Sequence, residues 1–262
     1  MCTLIVLDRV VPGLPLLVAS NRDEYYARPA ARPARILAEP GRAGAGMPIV
    51  APQDLEAGGT WMGVNACGLF AGLTNRATAL RRANRRSRGL LVLDVLQAPT
   101  AEAAAERMRA GLEGQYNPFH IFYGDGHQSF LTRLDERGFE TRPLEPGVHV
   151  IGNRDPEDPV CGKLRRIREA LGRLDLAGPL PELWEGLVRV LRDHESSVGA
   201  LEAVCIHTPG YGTRSSAVLA LGPRLRRYWH ADGPPCEAKY RDYSGLLNAL
   251  QPSHAREEGW VQ

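Results

Sequence analysis

Apolar residues near the start of the chain form two short runs, TLIVLD and LLVAS, on either side of a Pro-Gly turn. Such runs predict an antiparallel β-hairpin, with Cys2 at the outer end of its first strand. Residues 21–47 are rich in Arg, Pro, Ala and Gly and follow neither structural period, so we predict an irregular loop there. Two further strands are predicted at Thr60–Asn65 and Leu69–Thr74, joined by a four-residue turn.

Helical spacing of apolar residues appears in four later segments. Gly89–Leu96 and a segment that begins after Thr100, a suitable N-cap, predict a pair of helices. A third helix and a fourth, with Pro181 in its first turn, follow. Their apolar stripes are Leu164, Ile167, Leu171 and Leu174 in the third, and Leu183, Leu187, Val190 and Leu191 in the fourth.

The remaining apolar runs are typical of β-strands. They are Phe119–Tyr123, Ser129–Thr132, His149–Ile151, and the segments LEAVCIHT, SSAVLAL and RLRRYWHA. Grouped strands and grouped helices favour an α+β fold with antiparallel sheets over the regular alternation of a parallel sheet. The sequence shows no internal repeat, linker or domain boundary, so we predict one domain over residues 1–262.

Composition excludes several classes of protein. The 262 residues are 44% hydrophobic and 24% charged, with a net charge of +2, as in ordinary globular chains. The chain has no basic motif interleaved with aromatic residues, and we predict no nucleic-acid partner. The first apolar run is cut by Asp8 and Arg9, unlike a secretion signal, and no run approaches the roughly 20 residues of a membrane helix. Nothing in the sequence bears on the oligomeric state.

The five cysteines are odd in number and scattered, without a CxxC pair. This spacing predicts neither a disulfide framework nor a zinc site, and we expect no metal, no cofactor and a reducing cytoplasmic location. Cys205 and His207 share a face of a predicted strand and so imitate a Cys-His dyad. Burial in the core is the favoured interpretation for this pair.

Cys2 directly follows the initiator methionine, which aminopeptidases remove readily when the second side chain is small. The mature chain would then carry a thiol and a free α-amine on one residue. Because the pKa of such an amine is about 7.7–8.0, it can take the thiol's proton directly or through a water. A nucleophile and its base would thus come together without a histidine.

The segment SNRDEYYARPA follows the first hairpin, which returns Asn21, Arg22 and Asp23 to the neighbourhood of Cys2. Arg22 would stabilise a thiolate, and Asp23 would accept a hydrogen bond from the α-amine. The alternative is that Arg22 and Asp23 form a structural ion pair that braces the loop.

Six blocks together resemble the NRDE family, the transport and Golgi organisation protein two group. They are Cys2, SNRDEYYARPA at 20–30, GGTWMGVN at 58–65, TNR at 74–76, GNR at 152–154 and YGTRSS at 211–216. The resemblance implies the N-terminal nucleophile hydrolase fold, a four-layer αββα sandwich of two antiparallel sheets between outer helices. It therefore agrees with the grouping of strands and helices.

In the related penicillin V acylase and bile-salt hydrolase group, cysteine is the nucleophile, and Arg, Asp, Asn and Arg residues complete the site. Carried onto matching positions, the resemblance implies catalytic roles for Cys2, Arg22, Asp23, Asn75, Asn153 and Arg214. Substrate contacts are expected at Asn21, Trp61 and Arg76. One departure is that Arg22 and Asp23 are adjacent here, so they would point to opposite faces of an extended chain.

Simpler interpretations stand beside several of these roles. Asn75 and Asn153 each follow a strand, where asparagine often satisfies a turn, and either could supply the oxyanion donor. Arg214 could be a surface charge. A cluster of arginines could clamp a phosphate-bearing ligand, although a solvated loop is favoured. These arginines are at 76, 81, 82, 85, 86 and 88.

Two functions remain open at the level of sequence. The first is hydrolysis of a small non-peptide amide through an acyl-enzyme on Cys2. The second is a carrier or trafficking protein that holds a lipid, acyl-coenzyme A or haem ligand in the same cleft, since eukaryotic relatives are associated with such ligands and fold alone does not fix function.

Overall fold

The structure is a computed structural model that describes residues 2–37, 46–77, 82–111, 115–136, 138–156, 158, 161–196 and 198–250. Strands and helices alternate in groups, as the sequence predicts. In chain order the elements are β1 (Thr3–Val11), β2 (Leu14–Tyr25), β3 (Ala30–Leu37), β4 (Pro48–Asp54), β5 (Met62–Asn65), β6 (Phe70–Asn75), α1 (Arg88–Val95), α2 (Ala101–Arg109), β7 (Phe119–Gly124), β8 (Ser129–Asp135), β9 (Gly138–Pro143), β10 (Gly147–Ile151), α3 (Gly162–Leu171), α4 (Leu180–Leu191), β11 (His207–Thr208), β12 (Tyr211–Leu221), β13 (Arg226–Ala231), β14 (Arg241–Asp242) and α5 (Ser244–Asn248).

Two antiparallel sheets organise these strands. The first sheet has the order β10-β1-β2-β12-β13-β14, with β11 paired to β12, and so combines both ends of the chain. The second sheet has the order β3-β4-β5-β6-β7-β8-β9, in which each strand pairs with its neighbours in sequence. Within the described residues each sheet has seven strands.

Three apolar clusters separate the four layers and confirm the αββα arrangement. Alternate residues of β1 and β2 face opposite sides of the first sheet, because successive side chains of a strand alternate. The cluster between the sheets includes Leu4, Val6, Leu16, Val18, Val50, Val64, Phe70 and Phe122. The cluster beneath α3 and α4 includes Ile5, Leu7, Leu17, Ala19, Leu164, Ile167 and Leu187, and the one beneath α1 and α2 includes Leu91, Val92, Ala105 and Phe119.

The first hairpin is present as predicted, but its second strand is longer. Strand β2 continues to Tyr25, and β3 occupies Ala30–Leu37, so the prediction of an irregular loop over residues 21–47 is wrong where the structure describes it. Strand β3 lies at the edge of the second sheet and has an irregular register between Ala31 and Ala34. Pro33 falls inside this irregularity, where a missing N–H costs little.

The four predicted helices are confirmed. Thr100 caps α2, since its Oγ1 accepts a 3.1 Å hydrogen bond from the backbone N–H of Ala103, and Pro181 lies in the first turn of α4. The segment LEAVCIHT is not one strand, because it starts with a short 3₁₀ turn and pairs only at His207–Thr208. No described helix is long and apolar enough to cross a membrane.

Candidate active site at Cys2

A cavity of about 700 Å³ lies where β1 begins and β2 ends, within the size range of small-molecule sites. Its lining includes Cys2, Arg22, Asp23, Trp61 and Asn75. Five of the nine predicted site residues therefore come together in one cavity, from four separate blocks of the sequence.

The hairpin brings Cys2 next to Arg22, as the sequence predicts. Thr3 pairs with Asn21, so one further step along the antiparallel ladder sets Cys2 opposite Arg22. Alternation then points both side chains toward the space between the sheets, the side to which Leu4 belongs. The thiol of Cys2 is half-buried and free.

Arg22 is held against an aromatic ring. Its guanidinium carbon lies 4.3 Å from the centroid of the Trp61 ring, within the range of a cation–π contact. Burial lowers the pKa of Arg22, whereas negative charge at Cys2 raises it, so a thiolate and this guanidinium stabilise each other. The buried Nη1 of Arg22 has no hydrogen-bond partner among the described residues, which leaves a donor for a ligand.

Asp23 faces the helix layer instead. Its Oδ1 accepts a 2.7 Å hydrogen bond from Thr213 Oγ1 on β12, and its Oδ2 lies 3.9 Å from Lys163 Nζ on α3. Burial raises the pKa of Asp23, while Lys163 and the hydrogen bond from Thr213 lower it. The adjacent residues thus have opposite orientations, as expected for an extended chain, yet both line the cavity.

The thiol of Cys2 is not activated by its surroundings alone. Burial raises its pKa, and the negative charge of Asp23 acts in the same direction. The positive charge of the amino terminus opposes these effects most, and the backbone N–H of Asp23 and the charge of Arg22 also lower the pKa. The thiol therefore needs a base, and this is the task that a free α-amine on Cys2 would perform.

The two candidate oxyanion donors have different environments. Asn75, at the end of β6, lines the cavity. Asn153 instead donates its side-chain N–H to the backbone carbonyl of Asn75. The backbone carbonyl of Asn153 accepts a 2.9 Å hydrogen bond from the backbone N–H of Ala77. Asn153 therefore holds the end of β6 in place, and Asn75 is the better placed donor.

Two predicted substrate contacts lie away from the cavity. The Asn21 side chain donates 2.9 Å hydrogen bonds to the carbonyls of Leu191 and Val204, and so joins β2 to the helix layer. Arg76 pairs with Asp135 at 3.4 Å and contacts His120 Nε2 at 2.9 Å. Neither residue belongs to the lining, so the structure places both in supporting roles.

Arg214 occupies an irregularity in the sheet. Thr213 pairs with Asp23 and Ser215 pairs with Arg22, so Arg214 is the extra residue of a bulge between β12 and β2. Bulges commonly occur beside active sites, where they redirect a side chain. Arg214 is not among the residues that line the cavity.

The cavity is strongly charged. Its lining contains six arginines and four carboxylates, among them four members of the predicted arginine cluster: Arg82, Arg85, Arg86 and Arg88. Arg86 pairs with Asp94, and Arg88 donates a 2.8 Å hydrogen bond to the Pro118 carbonyl. Arg81 lies outside the described residues. Arg82 and Arg85 are thus the members best placed to receive an anionic ligand.

Sequence reasoning missed Lys163 and Thr213. Lys163 is one of only two lysines in the chain, and the helical pattern gives no sign that its side chain is 7% exposed. Thr213 lies inside the quoted block YGTRSS, but its contact with Asp23 depends on strand pairing. Together with the cavity residues, these groups can hold a thiol, a carboxylate and an amide donor around one reacting carbonyl.

Known protein families include relatives of this chain that match most of its length. The sequence model of the family described as Transport and Golgi organisation 2 matches residues 1–226. The Transport and Golgi organization protein 2 homologs of Bos taurus and Homo sapiens are each 30% identical over 233 residues, covering 78% of this chain and 81% of theirs.

Solved structures share the fold at low identity. Conjugated bile acid hydrolase from Clostridium perfringens has a TM-score of 0.60 and 13% identity, covering 94% of both chains. Penicillin V acylase from Agrobacterium tumefaciens has the same TM-score and identity, covering 95% of this chain and 88% of its own. At this identity the similarity shows only the fold of this chain, which is that of the N-terminal nucleophile hydrolases.

Proposed function

The chain belongs to the Transport and Golgi organisation 2 family, and from this premise and its cavity we propose that it is an N-terminal cysteine amidohydrolase acting on a small non-peptide amide. The observation that carries the proposal is the position of the Cys2 thiol in the cavity, opposite Arg22 and beside Asp23. The solved relatives named above support it through their fold.

The reaction requires that Met1 be removed. The α-amine of Cys2 then takes the proton of its own thiol, and the sulfur attacks the amide carbonyl carbon. The oxyanion receives the side-chain N–H of Asn75 together with a backbone N–H. The C–N bond breaks as the amine passes its proton to the leaving nitrogen, and a thioester remains. The amine next activates a water, which releases the acid and restores the thiol.

Neighbouring groups assist each step. The guanidinium of Arg22 stabilises the thiolate and is itself held on the ring of Trp61. The carboxylate of Asp23 accepts a hydrogen bond from the α-amine, while Thr213 and Lys163 fix its position. Arg82 and Arg85 favour a substrate with an anionic group, because guanidinium groups pair strongly with carboxylate and phosphate.

The first experiment is the intact mass of the chain expressed without an amino-terminal tag. Loss of one methionine is expected, and retention of Met1 would overturn the mechanism. The mature protein is then incubated with small amides that carry a carboxylate. We expect release of the acid by the parent chain, no release by Cys2→Ala, and unchanged release by Cys67→Ala, which removes an exposed thiol elsewhere. Release that survives in Cys2→Ala would exclude Cys2 as nucleophile.

A carrier function is the second candidate, and the charge of the cavity favours one version of it. The six arginines in the lining suit the phosphates of an acyl-coenzyme A, whereas so charged a wall suits the apolar faces of haem or a lipid tail poorly. Calorimetry with coenzyme A tests it. If the protein is a carrier, the Cys2→Ala variant should bind coenzyme A as tightly as the parent, and the Arg85→Gln variant about tenfold more weakly. The Arg165→Gln variant, altered on the exposed face of α3, is the control and should bind as the parent does.

A further inference from the structure

Two histidines and two cysteines converge outside the cavity that contains Cys2. One ligand atom from each of His194, Cys205, His207 and Cys236 lies within 4.8 Å of the others. We propose that these four residues bind one divalent transition metal ion, with zinc as the first candidate. The site is separate from the amide chemistry assigned to Cys2 and does not depend on it.

Two distances within the cluster match the edges of a tetrahedral site. Cys205 Sγ lies 3.7 Å from Cys236 Sγ and 3.6 Å from His207 Nε2. Zinc bound to thiolates at about 2.3 Å and to imidazoles at about 2.0 Å requires edges of about 3.8 Å between sulfurs and about 3.6 Å between sulfur and nitrogen. His207 Nε2 also lies 3.2 Å from Cys236 Sγ, so three ligands already surround one position.

Each histidine has an acceptor oxygen near its second ring nitrogen, within hydrogen-bond distance for His194 and slightly beyond it for His207. His194 Nδ1 lies 3.1 Å from the backbone carbonyl of Cys205, which leaves Nε2 for the metal. His207 Nδ1 lies 3.9 Å from Glu237 Oε1. Histidines that bind metals almost always direct their other nitrogen to a carbonyl or carboxylate, which fixes the tautomer and the ring.

Backbone contacts hold the three segments that carry the ligands in position before any ion arrives. Asp193, which follows α4, accepts hydrogen bonds from the backbone N–H groups of Val204 and Cys205, at 3.1 and 2.8 Å. Arg192 Nε donates a 2.8 Å hydrogen bond to the Pro235 carbonyl, and so fixes the turn that carries Cys236. Since the ligands are fixed, little ordering entropy opposes binding.

A disulfide is the competing use of the two cysteines. Both cysteines are free in the structure, with their sulfurs 3.7 Å apart, and a disulfide would give no role to the two imidazoles whose ring nitrogens lie beside them. Four protein ligands of nitrogen and sulfur type are typical of structural zinc sites, which have no open position for a substrate. A structural role is therefore expected.

The test uses the full chain, purified under reducing conditions and stripped with a chelator. Zinc is added back, and bound metal is measured after dialysis, by mass spectrometry of the element. We expect about one zinc per chain, and a rise in melting temperature on addition. Cobalt in place of zinc should give the absorption of a thiolate-bound tetrahedral ion.

Variants decide whether these residues are the ligands. Cys236→Ser and His207→Gln alter exposed side chains and should fold, yet each should weaken zinc binding about tenfold or more. Cys67→Ser, at an exposed cysteine in another turn, should bind as the parent does. The proposal is overturned if the reduced chain binds no zinc, if either ligand variant binds as the parent does, or if a sample purified without reductant contains a Cys205–Cys236 disulfide.

Discussion

Thr213 joins the two halves of the first sheet at the site, because its hydroxyl donates to Asp23 across 2.7 Å and accepts a 2.9 Å hydrogen bond from the backbone N–H of Ile206. One buried side chain thus connects the proposed catalytic carboxylate with the segment that carries Cys205. The position of Asp23 depends on a strand that is 190 residues away in sequence.

Thr213→Val should therefore lower both stability and any activity. The substitution removes one hydrogen-bond partner from the buried backbone N–H of Ile206 and one from the buried carboxylate of Asp23. We expect the free energy of unfolding to fall by about 1 to 3 kcal/mol. Urea denaturation measures the loss. Thr213→Ser keeps the hydroxyl and should remain near the parent, and an equal loss in both variants would show that the methyl group matters rather than the hydrogen bonds.

Lys163→Met should destabilise the protein most at neutral pH. The side chains of Lys163 and Asp23 are 7% and 0% exposed, so removing the lysine leaves a buried carboxylate with less compensation, at about 3 to 5 kcal/mol. Burial raises the pKa of Asp23 and Lys163 lowers it, so the variant raises it further. The penalty should shrink as the pH falls through that pKa, because the carboxyl becomes neutral.

Denaturation of Lys163→Met at several pH values checks this dependence. Lys239→Met removes the other lysine of the chain and should show no comparable change with pH. A penalty in Lys163→Met that stays constant down to acidic pH would mean that lost packing, rather than the charge of Asp23, explains it.

Acid should weaken the fold through His120. Burial lowers its pKa to about 4, whereas the unfolded side chain has a pKa of 6.5. The unfolded chain thus binds more protons between these values, and stability falls as the pH decreases from 6.5 towards 4. From pH 6.5 to about pH 5 the loss should be about 1 to 2 kcal/mol, with His230, whose pKa is also lowered to about 4, adding to it.

His120→Gln should flatten this profile, whatever its effect on stability at neutral pH. His127→Gln, at an exposed histidine, should keep the slope of the parent chain. Equal slopes in all three proteins would show that His120 does not titrate as its burial indicates.

Arg22→Gln should make the Cys2 thiol less reactive. The charge of Arg22 lowers the pKa of Cys2, so its loss should move the pH dependence of alkylation by iodoacetamide to higher pH. Mass spectrometry of the amino-terminal peptide follows the rate at this cysteine alone. Arg32→Gln, whose side chain pairs with Asp232 at an exposed position, is the control and should react as the parent does.

The sequence predicts the parts of the fold that have strong local signals. Two apolar runs around a turn give the first hairpin, and Pro181 and Thr100 define helix starts through backbone chemistry. The site follows from the hairpin, since pairing alone brings Cys2 to Arg22. The family resemblance adds Asn75 and Trp61, which share the cavity.

The missed features depend on packing rather than on pattern. Strand β3 contains Pro33 and shows no alternation, because an edge strand with an irregular register does not require it. Lys163 is buried within 3.9 Å of the Asp23 carboxylate, a contact between α3 and β2 that no local pattern encodes. The four proposed metal ligands come from three separate segments with no characteristic spacing, so the absence of a CxxC pair led to the opposite expectation.

The pairing order of the two sheets has a consequence for how the protein is made. Each strand of the second sheet meets partners that are adjacent in sequence, so this sheet can form while translation continues. The first sheet lacks β12 until the last fifth of the chain has left the ribosome, and Asp23 has no Thr213 to hold it until then. We therefore expect the nascent chain to carry an unassembled Cys2 site through most of its synthesis, and to gain the geometry that the proposed hydrolysis requires only at the end.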